Sequence, residues 1–336
     1  MGEEVISVKN LVKRYKELTA LNGFSLSVGQ GEIFGLLGPN GSGKSTTMNC
    51  ILSLLRYDEG EIRVFGEKMT PESYEIKKRI GVVPQDIAVF DELTVQENID
   101  YFCGLYVKDA ETKRQYVDEA IDFVGLDAFR KFKPGKLSGG LKRRLNIACG
   151  IVHKPELIFF DEPTVAVDPQ SRNKILENIV DLNKRGATIV YTTHYMEEVE
   201  QICTKIMIMD KGKALAEGTA EELKSRIKNT ENVIVDIRKL PAEEVDKILK
   251  LPRVYEVEYR ADRLTIRCAG GKQNIVSILD YLEVNNLKYQ RIYSELPTLN
   301  DVFLEITGKE LRDTEEIPEE KTDKKKTGKK RGKGDA

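Results

Sequence analysis

The most constraining feature of this chain is the segment GPNGSGKST at residues 38 to 46. It matches the phosphate-binding pattern G-x-x-x-x-G-K-[ST], and it lies between the apolar run IFGLLG (33 to 38) and the helix-compatible segment TMNCILSLL. Glycines let backbone N–H groups turn toward a phosphate, and the following helix adds the positive end of its dipole. We therefore expect a strand, a P-loop and a helix in this order, with a nucleotide bound at the loop.

The loop makes specific contacts with a nucleotide in this interpretation. Lys44 would pair with the β- and γ-phosphates, and the Ser45 hydroxyl would lie on Mg²⁺. The predicted nucleotide-binding positions of the loop are Gly38, Pro39, Asn40, Gly41, Ser42, Gly43, Lys44, Ser45 and Thr46. Kinases, GTPases, helicases and transport ATPases all use such a loop, so other motifs must distinguish these classes.

Two acidic residues end a second apolar run, LIFFDE at 157 to 162. Asp161 stands where a carboxylate can reach Mg²⁺ beside a P-loop. Glu162 follows it and can orient or deprotonate the attacking water. The alternative is a pair of solvent-facing acids, which would require the strand to end beside a nucleotide by accident.

A second anion site is predicted in LSGGLKRR, residues 137 to 144, about 95 residues after the first. Ser138 is a good helix N-cap, and Gly139 and Gly140 keep side chains away from the N–H groups at the helix start. Ser-Gly-Gly alone is more often a plain loop and cap. Its place some 20 residues before LIFFDEP favours a phosphate site. The two sites would hold different ends of one ATP, or the ATP of different subunits.

The periodicity predicts an α/β fold. Nearly continuous apolar runs at 33 to 38, 157 to 162, 187 to 193 and 205 to 210 fit central strands buried on both faces. Apolar residues three or four apart between about 95 and 150 predict a helical insertion. We therefore predict a P-loop ATPase domain, a mixed sheet with a helical insertion, over residues 1 to 220.

A small accessory α/β domain is predicted over residues 231 to 308. Its elements follow the β-α-β-β-α-β order of ferredoxin-like folds, and a last helix follows. Residues 309 to 336 are first acidic and then rich in lysine, so they cannot bury a core and are predicted to be a disordered charged tail. This basic tail is either simply solvated or touches anionic lipid or RNA.

Composition excludes several classes of protein. A formal net charge of -2 gives no support to a whole-protein nucleic-acid binder, so no DNA partner is expected. The five cysteines are scattered and never form Cys-x-x-Cys, which argues against a disulfide framework or a zinc site. No apolar run approaches the ~18 residues of a membrane helix, so another polypeptide would have to supply any spanning helices.

Taken together, the motifs resemble those of ABC-transporter nucleotide-binding subunits from about Val5 to Thr219. They occur in the family's order: an aromatic residue at Tyr15, the P-loop, Gln85 in GVVPQD, the LSGG motif at Leu137 to Gly140, DEP, Asp168 in VAVDP, and His194.

The resemblance implies a role for each of the remaining motif residues. Tyr15 would stack on adenine, and Gln85 would contact Mg²⁺ or the water and relay movement to a membrane partner. Asp168 would couple two sites across a dimer. His194 would hold the γ-phosphate and keep Glu162 and the water in register.

The family further implies two subunits, as a homodimer or heterodimer, that face each other head to tail. Ser138 and Gly140 of one would then contact the γ-phosphate held by Lys44 of the other. The cofactors implied are ATP and Mg²⁺. The predicted catalytic residues are Gln85, Glu162 and His194, and the predicted metal ligands are Ser45, Gln85 and Asp161. The other histidine, His153, is expected to be structural.

Two departures from the family pattern occur. Leu141 stands where glutamine is commonest, and Val165 to Val167 replace a commoner Gly-Leu before the aspartate. In the LSGG motif, backbone groups make most of the contacts with phosphate, so we expect ATPase activity to be retained despite these departures.

The subfamily resemblance lies in VAVDPQSR, YTTHYMEEVEQIC and PTLNDVFLEITGKELRD. These segments resemble the bacterial drug- and antibiotic-export ATPases, which carry a small α/β domain after the ATPase. This implies a peripheral subunit at the cytoplasmic face of the cell membrane, bound to a separately encoded permease. Polyene or peptide antibiotics, other toxic lipophiles and sodium ions all stay open as cargo.

Other functions remain as alternatives. A soluble ABC ATPase acting on ribosomes or nucleic acid is favoured only by the basic tail, since the chain has one motif set and no sustained heptads. A GTPase would need Asn-Lys-x-Asp, and NKRG at 183 to 186 lacks the acid. A protein that holds ATP without hydrolysing it is disfavoured by Glu162 and His194.

Overall fold

The computed structural model describes residues 3–226, 230–269, 274–295 and 297–307. The predicted tail, 309 to 336, lies outside the described residues. The strands are Glu4–Tyr15 (β1), Leu18–Gly29 (β2), Ile33–Leu37 (β3), Glu59–Val64 (β4), Glu67–Lys68 (β5), Ile80–Val83 (β6), Leu157–Asp161 (β7), Thr188–Thr193 (β8), Lys205–Asp210 (β9), Lys213–Gly218 (β10), Thr230–Asp236 (β11), Val254–Arg260 (β12), Arg263–Ala269 (β13) and Arg291–Glu295 (β14). The helices are Lys44–Ile51 (α1), Tyr74–Lys78 (α2), Val95–Gly104 (α3), Ala110–Phe123 (α4), Gly139–Ile151 (α5), Pro169–Lys184 (α6), Met196–Ile202 (α7), Ala220–Arg226 (α8), Ala242–Ile248 (α9), Asn274–Val284 (α10) and Leu299–Thr307 (α11).

The central sheet has six strands in the order β10-β9-β3-β8-β7-β6. Strand β10 is antiparallel to β9, and the other neighbours are parallel. The four apolar runs predicted as central strands are β3, β7, β8 and β9, and every residue of the first three is buried. The carboxyl ends of β3, β8 and β7 therefore meet at one edge, where ligands bind in open α/β sheets.

A separate antiparallel sheet, in the order β2-β1-β4-β5, covers the ATPase domain on one side. The sequence did not predict this second sheet. Strand β2 alternates buried and exposed residues near its end, as a sheet with one solvated face does. Its Phe24 and Val28 pack in one apolar cluster with Phe34 of β3 and Phe159 of β7, so this sheet supports the strands that carry the site.

The predicted helical insertion consists of α3, α4 and α5. Helix α3 begins at a capping box, in which the Thr94 side chain and the Glu97 side chain each accept from the other residue's backbone N–H. Asp109 caps α4 by accepting from the Thr112 N–H at 2.8 Å. Apolar residues of all three helices join the larger apolar cluster of the ATPase domain, which fixes them against the central sheet.

The C-terminal unit has the predicted β-α-β-β-α-β order and an antiparallel sheet in the order β12-β13-β11-β14. It has its own apolar core, in which Val233, Leu264 and Ile278 are fully or almost fully buried. The Leu287 backbone N–H donates to Leu282 O at 2.9 Å just after α10, and strand β14 begins at Arg291.

Helix α11 packs this unit against the ATPase domain. Leu299, Val302 and Phe303 are buried in the larger apolar cluster of the ATPase domain. The Leu299 N–H donates to Glu200 Oε1 of α7 at 3.0 Å, and Asn232 Nδ2 of β11 donates to Asp301 Oδ2 at 3.1 Å. None of the helices in the described part of the chain has both the length and the apolar character needed to cross a bilayer.

Candidate active site

The P-loop connects β3 to α1, and close backbone approaches require its glycines. At Gly38 a Cβ would lie 2.3 Å from Met209 O, which no side chain could accommodate. Gly43 has a φ of 108°, and a Cβ there would lie 3.0 Å from Ala20 O. The loop is thus held in a shape that only these residues allow.

An open groove of about 450 Å³ lies beside the loop. The predicted site residues that line it are Tyr15, Asn40, Gly41, Gly43, Lys44, Ser45, Thr46, Gln85 and Glu162. Gly38 and Pro39 contact Lys44 through their carbonyl groups, and Ser42 is 1% exposed. The structure therefore gathers most of the predicted nucleotide contacts around one groove.

Lys44 and Glu162 form a buried ion pair in this groove. Lys44 Nζ lies 3.1 Å from Glu162 Oε1, and only 4% and 6% of the two side chains are exposed. The ammonium also donates to Gly38 O at 2.8 Å and to Pro39 O at 3.2 Å. The other Glu162 oxygen, Oε2, lies 3.1 Å from His194 Nδ1. The P-loop, the acidic strand end and the histidine are therefore in direct contact.

Glu162 also has an unusual backbone conformation. Its φ of 44° lies in the left-handed region, which non-glycine residues rarely adopt and which occurs preferentially at functional sites. Its backbone N–H donates to both the carbonyl and the Oγ1 of Thr192, each at 3.1 Å. These bonds to β8 help to hold the carboxylate between Lys44 and His194.

Asp161 lies beside the hydroxyl of the P-loop serine. Its Oδ1 accepts from Thr192 Oγ1 at 2.6 Å and from Ser45 Oγ at 3.3 Å. A carboxylate and a hydroxyl at this separation are the hard oxygen ligands that Mg²⁺ prefers. Sequence reasoning missed Thr192, although the Thr-Thr pair before His194 was the available signal.

The segment that carries Gln85 is fastened to helix α5. Arg143 donates to Pro84 O at 3.0 Å and to Gln85 O at 2.7 Å, and Asn146 Nδ2 donates to Pro84 O at 3.2 Å. Burial lowers the pKa of Arg143. Sequence reasoning missed both residues, which stand three apart on the helix and are buried despite their polar side chains. The helix that begins at the LSGG motif thus holds Gln85.

The LSGG motif begins helix α5 as predicted. Ser138 is the N-cap, and its Oγ accepts from the Leu141 N–H at 3.3 Å. The space around Gly139 is open, but a Cβ on Gly140 would lie 2.3 Å from Ser171 Oγ. Close packing of α6 therefore requires glycine at position 140.

Asp168 lies beside the LSGG motif of its own chain. A Cβ on Gly140 would lie 3.3 Å from Asp168 Oδ2. Asp168 caps α6 by accepting from the Ser171 N–H at 2.9 Å, and this bond is the main cause of its lowered pKa. None of the described residues lining the P-loop groove belongs to the LSGG motif or is Asp168.

The surroundings of Tyr15 and His153, the two remaining residues discussed from the sequence, differ. Tyr15 is 42% exposed at the groove, and Lys13 Nζ lies 4.9 Å from its ring centroid. His153 stacks on Tyr106 with ring centroids 3.8 Å apart, and its Nε2 lies 3.1 Å from Ile80 O. Burial lowers the pKa of His153.

Comparison with protein families gives two matches. Residues 21–165 match the ABC transporter family, and residues 218–307 match the C-terminal domain of DrrA1-3-like ATP-binding proteins. The linearmycin resistance ATP-binding protein LnrL of Bacillus subtilis (strain 168) is 38% identical over 314 residues, which cover 92% of this chain and 100% of the relative. The Nod factor export ATP-binding protein I of Ralstonia nicotianae is 34% identical, covering 92% and 95%. The daunorubicin resistance ATP-binding protein DrrA3 of Streptomyces coeruleorubidus is 32% identical, covering 93% and 98%.

Solved structures agree with these relatives. The cbiO1 protein of Clostridium perfringens, part of the ABC transporter complex cbiONQ, superposes with a TM-score of 0.62 at 26% identity, covering 66% of this chain and 91% of that chain. A dimeric ATP-binding cassette in a post-hydrolysis state with ADP and Pi gives a TM-score of 0.59 at 30% identity, covering 64% and 98%. The motifs, the fold and these similarities together show that the chain belongs to the ABC transporter family, as an ATP-binding subunit with ATPase activity.

Proposed function

We propose that this ATPase drives export of a drug, an antibiotic or another lipophilic compound through a separate membrane-spanning subunit, at the cytoplasmic face of the membrane. Support comes from the relatives, which are named for linearmycin resistance, daunorubicin resistance and Nod factor export and which align with over nine-tenths of this chain. The match of residues 218–307 to the DrrA1-3-like C-terminal domain supports the same subfamily.

The observation that carries the proposed mechanism is the Glu162 carboxylate held between Lys44 Nζ and His194 Nδ1, each at 3.1 Å. Lys44 would bind the β- and γ-phosphates of ATP. Glu162 would take a proton from the attacking water as the water oxygen bonds to the γ-phosphorus. The bond between the γ-phosphorus and the β,γ-bridging oxygen would break at the same time, and ADP would leave with the electron pair. His194 would keep the carboxylate and the γ-phosphate aligned.

The oxygen ligands beside the P-loop fit a magnesium ion. Ser45 and Asp161 place a hydroxyl and a carboxylate 3.3 Å apart, and Gln85 lines the same groove. These three residues would hold Mg²⁺ together with phosphate oxygens. When bound, Mg²⁺ would neutralise charge that develops on the phosphates. Tyr15, exposed at the groove, would stack on the adenine.

A second subunit would complete the site. Ser138, Gly139, Gly140 and Asp168 lie outside the groove of their own chain, so they would serve a nucleotide held by a partner. The α5 N-terminus, with open space at Gly139, suits a γ-phosphate. The related cassette solved as a dimer with ADP and Pi supports this arrangement. ATP would join two copies, or this chain and a related one, and hydrolysis would release them.

The test is Glu162→Gln in the full chain. We expect ATP hydrolysis to fall by about 10² to 10⁴-fold because the base is lost, while MgATP binding persists and dimer accumulates in gel filtration with MgATP. Glu197→Gln, an exposed acid on α7, is the control and should leave the rate unchanged. Hydrolysis by Glu162→Gln at the parental rate would remove Glu162 from the mechanism.

A second variant tests the shared site. Ser138→Arg should leave MgATP binding to the P-loop groove intact, but it should abolish the MgATP-dependent dimer and turnover because a long side chain would fill the contact. Normal turnover of this variant would contradict a composite site. Export itself is tested by resistance or flux assays in cells that carry the chain with its membrane subunit, and loss of export in Glu162→Gln is expected.

A further inference from the structure

Glu198 is a buried carboxylate that the mechanism above does not use. It lies on α7 with 2% of its surface exposed. Its Oε2 accepts from Tyr191 Oη at 2.8 Å and from Thr193 Oγ1 at 2.9 Å. Burial first, and then the charge of Glu198, raise the pKa of Tyr191, so the phenol remains a hydrogen-bond donor. Both donors belong to β8, the strand that leads directly to His194.

The hydroxyl of Thr193 extends this network past His194. Thr193 Oγ1 donates to Glu198 and accepts from the Tyr195 N–H at 3.0 Å. Glu198 therefore holds the backbone on both sides of the histidine, before it through Thr193 and after it through Tyr195. The His194 and Tyr195 rings also touch, with centroids 4.1 Å apart.

Arg172 of α6 reaches the same turn. Its guanidinium carbon lies 4.7 Å from the Tyr195 ring centroid, and its Nε lies 3.5 Å from Glu198 Oε1. Within the described residues, neither that Nε nor that Oε1 makes a hydrogen bond, although both atoms are buried. Buried polar atoms are nearly always satisfied, and an ion pair with a partly exposed arginine adds little stability, so these two atoms require another explanation.

Arg172 also connects the turn to the LSGG motif. The backbone N–H of Arg172 donates to the backbone carbonyl of Asp168 at 2.9 Å, one helical turn away. Asp168 and Ser171 pack against Gly140, as described above. A shift at the start of α6 would therefore move Arg172 relative to Glu198. Because Glu198 bonds to Thr193, which flanks His194, the position of His194 would change as well.

We propose that Arg172 and Glu198 are positioning residues, which orient His194 toward Glu162 and make that orientation depend on the start of α6 beside the LSGG motif. The inference rests on the proposed roles of His194 and Glu162. In this view, a nucleotide bound between two copies at the LSGG motif of one chain adjusts the catalytic histidine of that same chain. Neither residue contacts ATP, so binding and turnover should separate when the pair is broken.

The experiment measures MgATP hydrolysis, MgATP affinity and thermal stability for Glu198→Gln and Arg172→Gln in the full chain. The glutamine amide oxygen can still accept from Tyr191 and Thr193, whereas its attraction for Arg172 is lost. We expect kcat to fall by about tenfold or more, since small misplacements of catalytic groups are costly, with the Kd for MgATP unchanged within about twofold. Glu197→Gln on the same helix is the matched control.

The decisive readout is the combination with His194→Ala. A positioning role predicts that Glu198→Gln and Arg172→Gln cause no further loss of kcat once His194 is gone. A purely structural role predicts that they lower thermal stability and reduce kcat equally in both backgrounds, and that result would overturn the inference. If Glu198→Gln does not fold, the same cycle with the partly exposed Arg172 decides the question.

The His194→Ala variant separates the positioning role of the pair from the proposed catalytic role of His194. If His194→Ala alone leaves kcat unchanged, the proposed catalytic role of His194 is wrong, and the inference falls with it. If His194→Ala is impaired but both pair variants turn over ATP normally, only the positioning role is wrong.

Discussion

Lys44 and Glu162 contact each other directly, with 3.1 Å between Nζ and Oε1 and both side chains buried. The contact joins the first residue of α1, which follows β3 and the P-loop, to the residue after β7, and β3 and β7 are separated by β8 in the sheet. In the proposed mechanism, the γ-phosphate binds the Lys44 ammonium group, which is paired with Glu162 in this structure. Nucleotide binding must therefore compete with this carboxylate for Lys44.

Removing the negative charge of Glu162 should tighten ATP binding. In Glu162→Gln the ammonium of Lys44 loses a charged competitor, and the γ-phosphate no longer faces a buried carboxylate. We expect the Kd for MgATP to decrease several-fold in an equilibrium titration with a fluorescent ATP analogue. Glu197→Gln should bind like the parent. Weaker binding by Glu162→Gln would show that the carboxylate supports the loop more than it competes with the phosphate.

Ala166→Gly should stabilise the protein. Ala166 lies in the segment that departs from the family pattern, and its φ of 58° is one that glycine adopts without strain. Relief of this strain should exceed the extra chain entropy of glycine, for a net gain of about 0.5 to 1 kcal/mol in the free energy of unfolding. Ala120→Gly, in the second half of α4, should instead lose about 1 kcal/mol or more, and urea titration compares the two. Loss of stability in Ala166→Gly would contradict the prediction that the backbone at Ala166 is strained.

Gly140→Ala and Gly139→Ala should differ sharply in stability. A Cβ at 140 would lie 2.3 Å from Ser171 Oγ and 2.7 Å from Ser171 Cβ, whereas at 139 the nearest atom is 4.0 Å away. We expect Gly140→Ala to lower the free energy of unfolding by about 1 to 3 kcal/mol, as overpacking does, and Gly139→Ala to change it by less than about 0.5 kcal/mol. Chemical denaturation of both variants measures this, and equal stabilities would mean that α6 moves aside freely.

His153 should make the protein less stable as the pH falls. Burial lowers its pKa below the usual value of about 6.5, because a proton on Nδ1 would be buried without a hydrogen-bond partner among the described residues. The unfolded chain therefore takes up this proton at a higher pH than the folded protein does. The contribution of His153 to stability is complete above about pH 6.5 and is lost as the pH falls toward the lowered value.

The measurement for His153 compares the parent with His153→Phe, which keeps an aromatic ring against Tyr106 but cannot titrate. Urea unfolding at pH 7.5, 6.5 and 5.5 should show a steeper loss of stability in the parent below pH 6.5, by up to about 1.4 kcal/mol per pH unit. Parallel curves for the two proteins would contradict a lowered pKa for His153.

The P-loop, the acidic strand end at Asp161 and Glu162, and the N-cap at Ser138 were all predictable from sequence. Each is a local signal, because it depends on neighbouring residues within one strand, loop or helix start. Apolar runs placed β3, β7, β8 and β9 correctly for the same reason. The order of elements in the C-terminal unit also follows from local periodicity.

Only the tertiary structure decided which side chains hold these motifs together. Thr192 bonds to Asp161, Arg143 holds the Gln85 segment, and Glu198 reaches Arg172, all across long separations in sequence. The antiparallel sheet likewise depends on pairing between β1 and β4. A local pattern such as the Thr-Thr pair before His194 can mark a threonine, arginine or glutamate as a candidate, but it does not name the partner, because folding brings that partner from a distant part of the chain. The sequence by itself determined the chemistry available to this protein, and long-range packing decided how those groups are aligned.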